Sequence, residues 1–104
     1  MVKHVILWKL HDHYSPEKKE EIKIGIKNGL ESLKGKIPGL VDIHVLINGM
    51  ETSNADAMLE VLFTDESSLK GYGSHPEHVK IADTFVRPHT QTRLCLDFEE
   101  PDAS

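Results

Sequence analysis

The residues best suited to catalysis lie in one short segment, between Tyr72 and His78. Pro76 predicts the start of a helix, because proline favours the first helical position, and His78 then falls in the first turn. The positive end of the helix dipole disfavours an imidazolium there, so we expect a neutral His78 that can accept a proton near pH 7. The Tyr72 phenol could donate a hydrogen bond to a developing enolate oxygen. This pairing suits acid–base catalysis on a carbonyl compound.

The same segment also suits a purely structural role. His75 and His78 could cap or cross-link the start of the helix, and the Tyr72 hydroxyl could bond to backbone. An open cavity of roughly a few hundred Å³ that reaches both Tyr72 and His78 would separate the two interpretations, since a closed core would exclude catalysis.

A second candidate lies in the first predicted strand, where His4, Ile6 and Trp8 alternate along the chain. Alternate residues of a strand share one face, so the three side chains point the same way. His4 could polarise a bound carbonyl while Ile6 and Trp8 form an apolar wall. The alternative is a core strand with one hydrogen-bonded histidine.

No metal or cofactor site is predicted, although the chain has seven histidines. His75 and His78 are three residues apart, and His11 and His13 share one strand face. Neither pair has a third ligand fixed by the sequence, and zinc needs three or four. The single cysteine, Cys95, cannot form an intramolecular disulfide, and on a strand we expect it to be a small buried apolar residue.

The hydrophobic periodicity predicts the element order β-α-β-β-α-β. Ser15 and Pro16 predict the start of the first helix. The second helical region is expected in two pieces, 65–69 and 76–86, broken by the glycines around Tyr72. This order is typical of an α+β, ferredoxin-like protomer with a four-stranded antiparallel sheet. The strands are expected at residues 2–10, 40–47, 57–63 and 92–98.

Both faces of the predicted sheet carry apolar residues. In the first strand, Ile6 and Trp8 point one way while Val5 and Leu7 point the other. Two helical regions can cover only one face of a four-stranded sheet, so the other face needs a second cover. The simplest cover is the same sheet of another subunit, which predicts a face-to-face homodimer.

The composition is that of a small globular domain, with 104 residues, of which 38% are hydrophobic and 28% charged. The net charge of −5 argues against a nucleic-acid partner, because phosphate neutralisation needs a basic face. The apolar run 5–8 is too short for a secretion signal or a membrane span. We therefore expect a cytoplasmic protein with no membrane partner.

Several segments resemble the stress-responsive A/B barrel (Dabb) family. They are, in chain order, VKHVILWKL, GKIPGL, LEVLF, LKGYGSHPEHVK and LDF. The match spans residues 2–98, so we expect the family's domain over 1–98 and an acidic flexible tail over 99–104. The resemblance implies a ferredoxin-like protomer that pairs as a dimeric α/β barrel.

The family includes a plant polyketide cyclase that works without a metal or an organic cofactor. Carried onto this chain, its catalytic pair corresponds to Tyr72 as the oxyanion donor and His78 as the general base. The residues expected to bind the substrate surround that pair and are His4, Ile6, Trp8, Gly25, Ile26, Leu59, His75 and Ile81. Gly25 and Gly29 lie one turn apart on the buried stripe of the first helix, where small residues either allow close packing or leave volume for a ligand. The cyclase has bulkier residues along this stripe, so we expect a pocket of different shape.

These observations predict a small-molecule-binding protein of the stress-responsive A/B barrel type. Its expected activity is that of a cofactor-independent acid–base enzyme of the cyclase or lyase kind, acting on a carbonyl or polyketide-like compound. Two alternatives stay open, a non-enzymatic stress-associated homodimer and a cofactor-free oxygenase.

Overall fold

The computed structural model describes residues 1–101. Its four strands form one antiparallel sheet in the order β2-β3-β1-β4, and this topology confirms the ferredoxin-like prediction. The elements in chain order are β1 (Val2–Leu10), α1 (Pro16–Glu31), β2 (Leu40–Leu46), β3 (Ala57–Phe63), α2 (Glu66–Ser74), α3 (Pro76–Ile81), a π-helical segment (Ala82–Val86) and β4 (Thr90–Glu99).

The first helix begins as the sequence predicts. The Ser15 hydroxyl accepts a hydrogen bond from the Lys18 backbone N–H at 3.1 Å, which satisfies one of the free donors of the first turn. Ile22, Ile26 and Leu30 are buried along one stripe of α1, and this stripe joins the hydrophobic core on the sheet.

The second helical region differs from the prediction. α2 runs through Gly71 and Gly73 to Ser74, so the glycines do not break it. The break comes at His75, whose backbone is extended at φ −65° and ψ 131°. The residue before a proline is disfavoured in the α conformation, and Pro76 therefore separates α2 from α3.

The second strand also differs in one detail. Alternation along the strand predicts Val41 on the same face as Ile43 and Val45, but Val41 is 37% exposed whereas those two residues are buried. The pairing with β3 shifts register between Leu40 and Asp42, which leaves Val41 as an extra residue in a bulge. Leu40 packs against the core instead.

One face of the sheet carries the core and the other is apolar but uncovered within the protomer. The residues of β1 that alternate with the exposed Leu7 are buried, from Val2 to Leu10. On β4, Leu94 is 63% exposed and Leu96 is 64% exposed. Leu7 pairs with Leu94, and Val5 pairs with Leu96, so these side chains form one continuous apolar surface.

The last strand is longer than predicted. β4 includes Glu99, and the backbone N–H of Glu100 donates to the Met1 carbonyl oxygen at 2.8 Å. Glu99 and Glu100, which were predicted to belong to an acidic tail, therefore continue the pairing beside β1. Residues 102–104 of the predicted tail lie outside the described residues. None of the described helices combines the length and apolarity needed to cross a membrane.

The glycines of α1 permit close helix packing. A Cβ atom at Gly29 would lie 3.0 Å from Cγ2 of Ile81 and 3.1 Å from Cδ2 of Phe85. A Cβ atom at Gly25 would lie 3.3 Å from Cδ1 of Phe85. Of the two roles considered for these glycines, the structure therefore shows close packing, against α3 and the π-helical segment.

We expect Gly71→Ala to raise the free energy of unfolding by about 0.5–1 kcal/mol, because alanine is the better helix former and a Cβ there meets nothing within 4 Å. Gly29→Ala gains the same propensity but must displace Ile81 and Phe85, so we expect it to be less stable than Gly71→Ala by at least about 1 kcal/mol. Urea unfolding measures both variants. Equal stabilisation would contradict the close packing.

Candidate active site

A cavity of about 160 Å³ lies between the helices and the covered face of the sheet, and it reaches both Tyr72 and His78. Its wall is largely apolar, with a few polar side chains directed to one volume, as is common in small-molecule sites. The lining residues are His4, Ile6, Trp8, Leu30, Leu59, Leu69, Tyr72, Gly73, His78, Ala82, Val86, Arg87, Thr90 and Arg93.

The Tyr72 hydroxyl is buried without a hydrogen-bond partner among the described residues. The side chain comes from α2 and is 2% exposed, with its ring 5.2 Å from that of Phe63. Burial raises the pKa of the phenol well above its usual value of 10.0, so Tyr72 stays protonated. A buried hydroxyl of this kind is a donor available to a ligand.

His78 lies beside Tyr72, in the first turn of α3 as predicted. The two ring centroids are 4.1 Å apart. Nδ1 of His78 is 3.3 Å from the Gly73 carbonyl oxygen, and a carbonyl can only accept, so Nδ1 carries the hydrogen and Nε2 is free to accept. Burial, and to a smaller extent the charges of Arg87 and Arg93, lower the pKa of His78 below 6.5. His78 is therefore neutral near pH 7.

His4 lies on the neighbouring wall and is held by a carboxylate. It is 7% exposed, its ring centroid lies 5.9 Å from that of Tyr72, and its Nδ1 is hydrogen-bonded to Oδ1 of Asp97. His4 and Asp97 pair across β1 and β4. This contact fixes the orientation of the imidazole at the cavity.

Cys95 completes a small cluster that the sequence analysis missed. Its thiol lies 3.6 Å from Oδ1 of Asp97 and 3.8 Å from Nδ1 of His4, and donor atoms of the three residues lie within 4.8 Å of one another, close enough to hold a metal ion. The prediction of a buried Cys95 is wrong, because the residue is exposed. Partial burial and Asp97 raise the pKa of the thiol, so it remains protonated and donates to Asp97.

The cavity brings together six of the ten predicted site residues, listed here in chain order: His4, Ile6, Trp8, Leu59, Tyr72 and His78. Four do not line it. Gly25 lies against Phe85, and Ile26 is fully buried in the core. His75 caps α3 by accepting a hydrogen bond from the Glu77 backbone N–H at 3.1 Å, and Ile81 packs toward α1.

Two arginines that line the cavity, Arg87 and Arg93, were also missed by the sequence analysis. Arg87 follows the π-helical segment and is paired with Asp83. Arg93 lies on β4, directly opposite Trp8 on β1. The alternation of β4 places Arg93 on the same face as Cys95, but only the pairing register shows that this face meets Trp8 and the cavity.

Comparison with family models matches residues 2–100 to the Stress responsive A/B Barrel Domain. A dimeric protein of unknown function and ferredoxin-like fold from Bacteroides fragilis is 30% identical, with a TM-score of 0.88 over 95% of each chain. The Arabidopsis thaliana protein At3g17210 is 27% identical, with a TM-score of 0.75 over 100% of this chain and 99% of its own.

A more distant structure has the same fold. The hydroxynitrile lyase from Passiflora edulis is 13% identical, with a TM-score of 0.70 over 99% of this chain and 95% of its own. At this identity the likeness concerns the fold alone. A comparison with curated protein sequences gave no match.

We expect Tyr72→Phe to leave the free energy of unfolding unchanged or to raise it by up to about 1 kcal/mol, because the lost hydroxyl is buried without a partner. Tyr14→Phe is the matched control, since the Tyr14 hydroxyl bonds to Nδ1 of His89 at 3.0 Å, and we expect it to cost about 0.5–1.5 kcal/mol. Urea unfolding distinguishes the two. A comparable loss in Tyr72→Phe would indicate a structural role for its hydroxyl.

Proposed function

The chain belongs to the stress responsive A/B barrel domain family, and we propose that it binds a small carbonyl compound and moves a proton on it by acid–base catalysis. The proposal needs no cofactor. The observation that carries it is the unpartnered Tyr72 hydroxyl beside the neutral imidazole of His78 at one cavity.

In the proposed mechanism, His78 is the base and Tyr72 the electrophilic donor. Nε2 of His78 accepts a proton from the carbon next to the carbonyl. The C–H electron pair forms the new C=C bond, and the π pair of the C=O bond moves onto the carbonyl oxygen. The Tyr72 hydroxyl donates to that oxygen as the charge develops. The imidazolium then returns its proton to the enolate or to another atom of the substrate. His4, oriented by Asp97, is a second polar group against the same ligand.

The cavity volume limits the substrate. An engineered cavity of roughly 150 Å³ holds benzene, so about 160 Å³ suits a single ring or a chain of five or six carbons. This is smaller than the cavity of roughly a few hundred Å³ that the sequence analysis sets as the criterion for a ligand site. We therefore favour a small ketone or aldehyde over a polyketide as the substrate.

The alternative of a non-enzymatic dimer with a filled interior is less well supported. The cavity is open to both Tyr72 and His78, and no hydrogen bond from residues 1–101 holds the Tyr72 hydroxyl in a structural role. One protein of the same fold is itself named an enzyme, a hydroxynitrile lyase, which supports the view that the fold accommodates catalysis.

The proposal predicts exchange of the hydrogens next to a ketone in deuterated water. With 4-oxopentanoate and its methyl ester as probes, we expect the wild type to accelerate exchange and His78→Ala or Tyr72→Phe to reduce the acceleration by about 100-fold or more. Proton NMR in the presence of EDTA measures exchange while keeping metal away from Cys95. His44→Ala, an exposed histidine on β2, is the control. Acceleration that survives in both cavity variants would contradict the proposal.

The exchange rate should depend on pH through His78. Its pKa in the folded protein is lowered, so the neutral base is present at pH 7 and is lost as pH falls through that pKa, below 6.5. We expect the rate constant to fall to half its maximal value below pH 6.5. A decline that is already half complete above pH 6.5 would show that His78 is not the base.

We propose further that the uncovered face of the sheet is a homodimer interface. Leu94 and Leu96 are more than half exposed there, and a hydrophobic surface of this kind is typical of an interaction site. The Bacteroides fragilis protein, 30% identical over nearly the whole chain, is dimeric, which supports the same arrangement here.

Light scattering during size-exclusion chromatography should give twice the chain mass of 11.7 kDa for the wild type. The double variant Leu94→Glu/Leu96→Glu should be monomeric, because two charges would be buried without partners. Ile24→Glu on α1, where the native residue is 45% exposed, should stay dimeric. A monomeric wild type at micromolar concentration would contradict the interface.

A further inference from the structure

The charge of the cavity wall is opposite in sign to that of the protein. The chain has 17 acidic and 12 basic residues and a net charge of −5. The lining residues nevertheless include two arginines, Arg87 and Arg93, and no carboxylate. Asp97 is the acid nearest to His4, and its charge is directed to the Nδ1 side of that ring.

The two arginines are not equivalent. Arg87 forms an ion pair with Asp83, one turn earlier. Arg93 makes no salt bridge with any carboxylate in the described part of the chain. Arg93 is exposed and also lines the cavity, so it lies where the cavity meets solvent.

The field of Arg93 extends to the reacting groups. Its charge lowers the pKa of His78, and it opposes the effect of burial on the pKa of Tyr72. The charge of Arg93 acts to lower both pKa values, because a nearby cation disfavours the positive form of His78 and favours the negative form of Tyr72. A ligand in this cavity therefore lies near a cation that forms no salt bridge with a described acid.

We propose that the ligand is a small keto acid, with its carboxylate on Arg93 and its ketone oxygen at the Tyr72 hydroxyl. A guanidinium presents parallel N–H donors that match the two oxygens of a carboxylate. One unpaired guanidinium suits a monoanion, and the cavity volume suits a chain of five or six carbons. This inference rests on the proposed function, because it assigns the substrate class of the same site.

Binding should follow the charge of the ligand. In titrations followed by amide NMR shifts, we expect 4-oxopentanoate to bind at least tenfold more tightly than its methyl ester, which carries the same ketone. Arg93→Gln should abolish this preference. Arg93→Lys should keep part of it, because the charge remains and the two-point geometry is lost. Lys80→Gln, at an exposed position of α3, removes the same charge outside the cavity and should leave the preference intact.

Equal binding of acid and ester, absence of binding by both, or a preference that persists in Arg93→Gln would overturn the inference. Different results would overturn the proposed function and the carboxylate site. If the acid binds through Arg93 but His78→Ala does not change hydrogen exchange, the carboxylate site stands and the catalytic proposal falls. If both probes exchange in a manner that depends on Tyr72 and His78 without any preference for the acid, the catalytic proposal stands and the carboxylate site falls.

Discussion

The structure depends on a sheet that is apolar on both faces. The helices cover one face with the core, and Leu94 and Leu96 remain exposed on the other. The two faces can therefore serve different purposes, one to pair with a second copy and the other to enclose a ligand beneath the helices. The cavity lies on the covered face, on the side of the sheet opposite Leu94 and Leu96.

The break between α2 and α3 creates the site. On a continuous helix, Tyr72 and His78 are six residues apart and would point about 120° away from each other. The extended backbone of His75 before Pro76 turns the chain, so the two rings come within 4.1 Å, centroid to centroid. The same break places His78 in a first helical turn and brings its Nδ1 to the Gly73 carbonyl. The break before Pro76 thus sets the position of the candidate base and the partner of its Nδ1, while burial lowers its pKa.

Local patterns in the sequence predicted the parts of the molecule that local physics decides. The alternation of β1 placed His4, Ile6 and Trp8 on one face, and Pro76 placed His78 in its helical turn. What the sequence could not supply was the register of β4. His4 and Asp97 are 93 residues apart, and only their pairing across the sheet brings them together.

The same limit applies to Arg93 and to the position of Gly25, which depend on how distant elements pack.

The proposed catalysis depends most on His78 being a neutral base. Nitrogen-15 NMR of its imidazole across a pH titration measures this directly. We expect a neutral ring at pH 7, with the hydrogen on Nδ1 and a titration midpoint below pH 6.5. A ring that is protonated at pH 7, or that carries its hydrogen on Nε2, would contradict the assignment of His78 as the base.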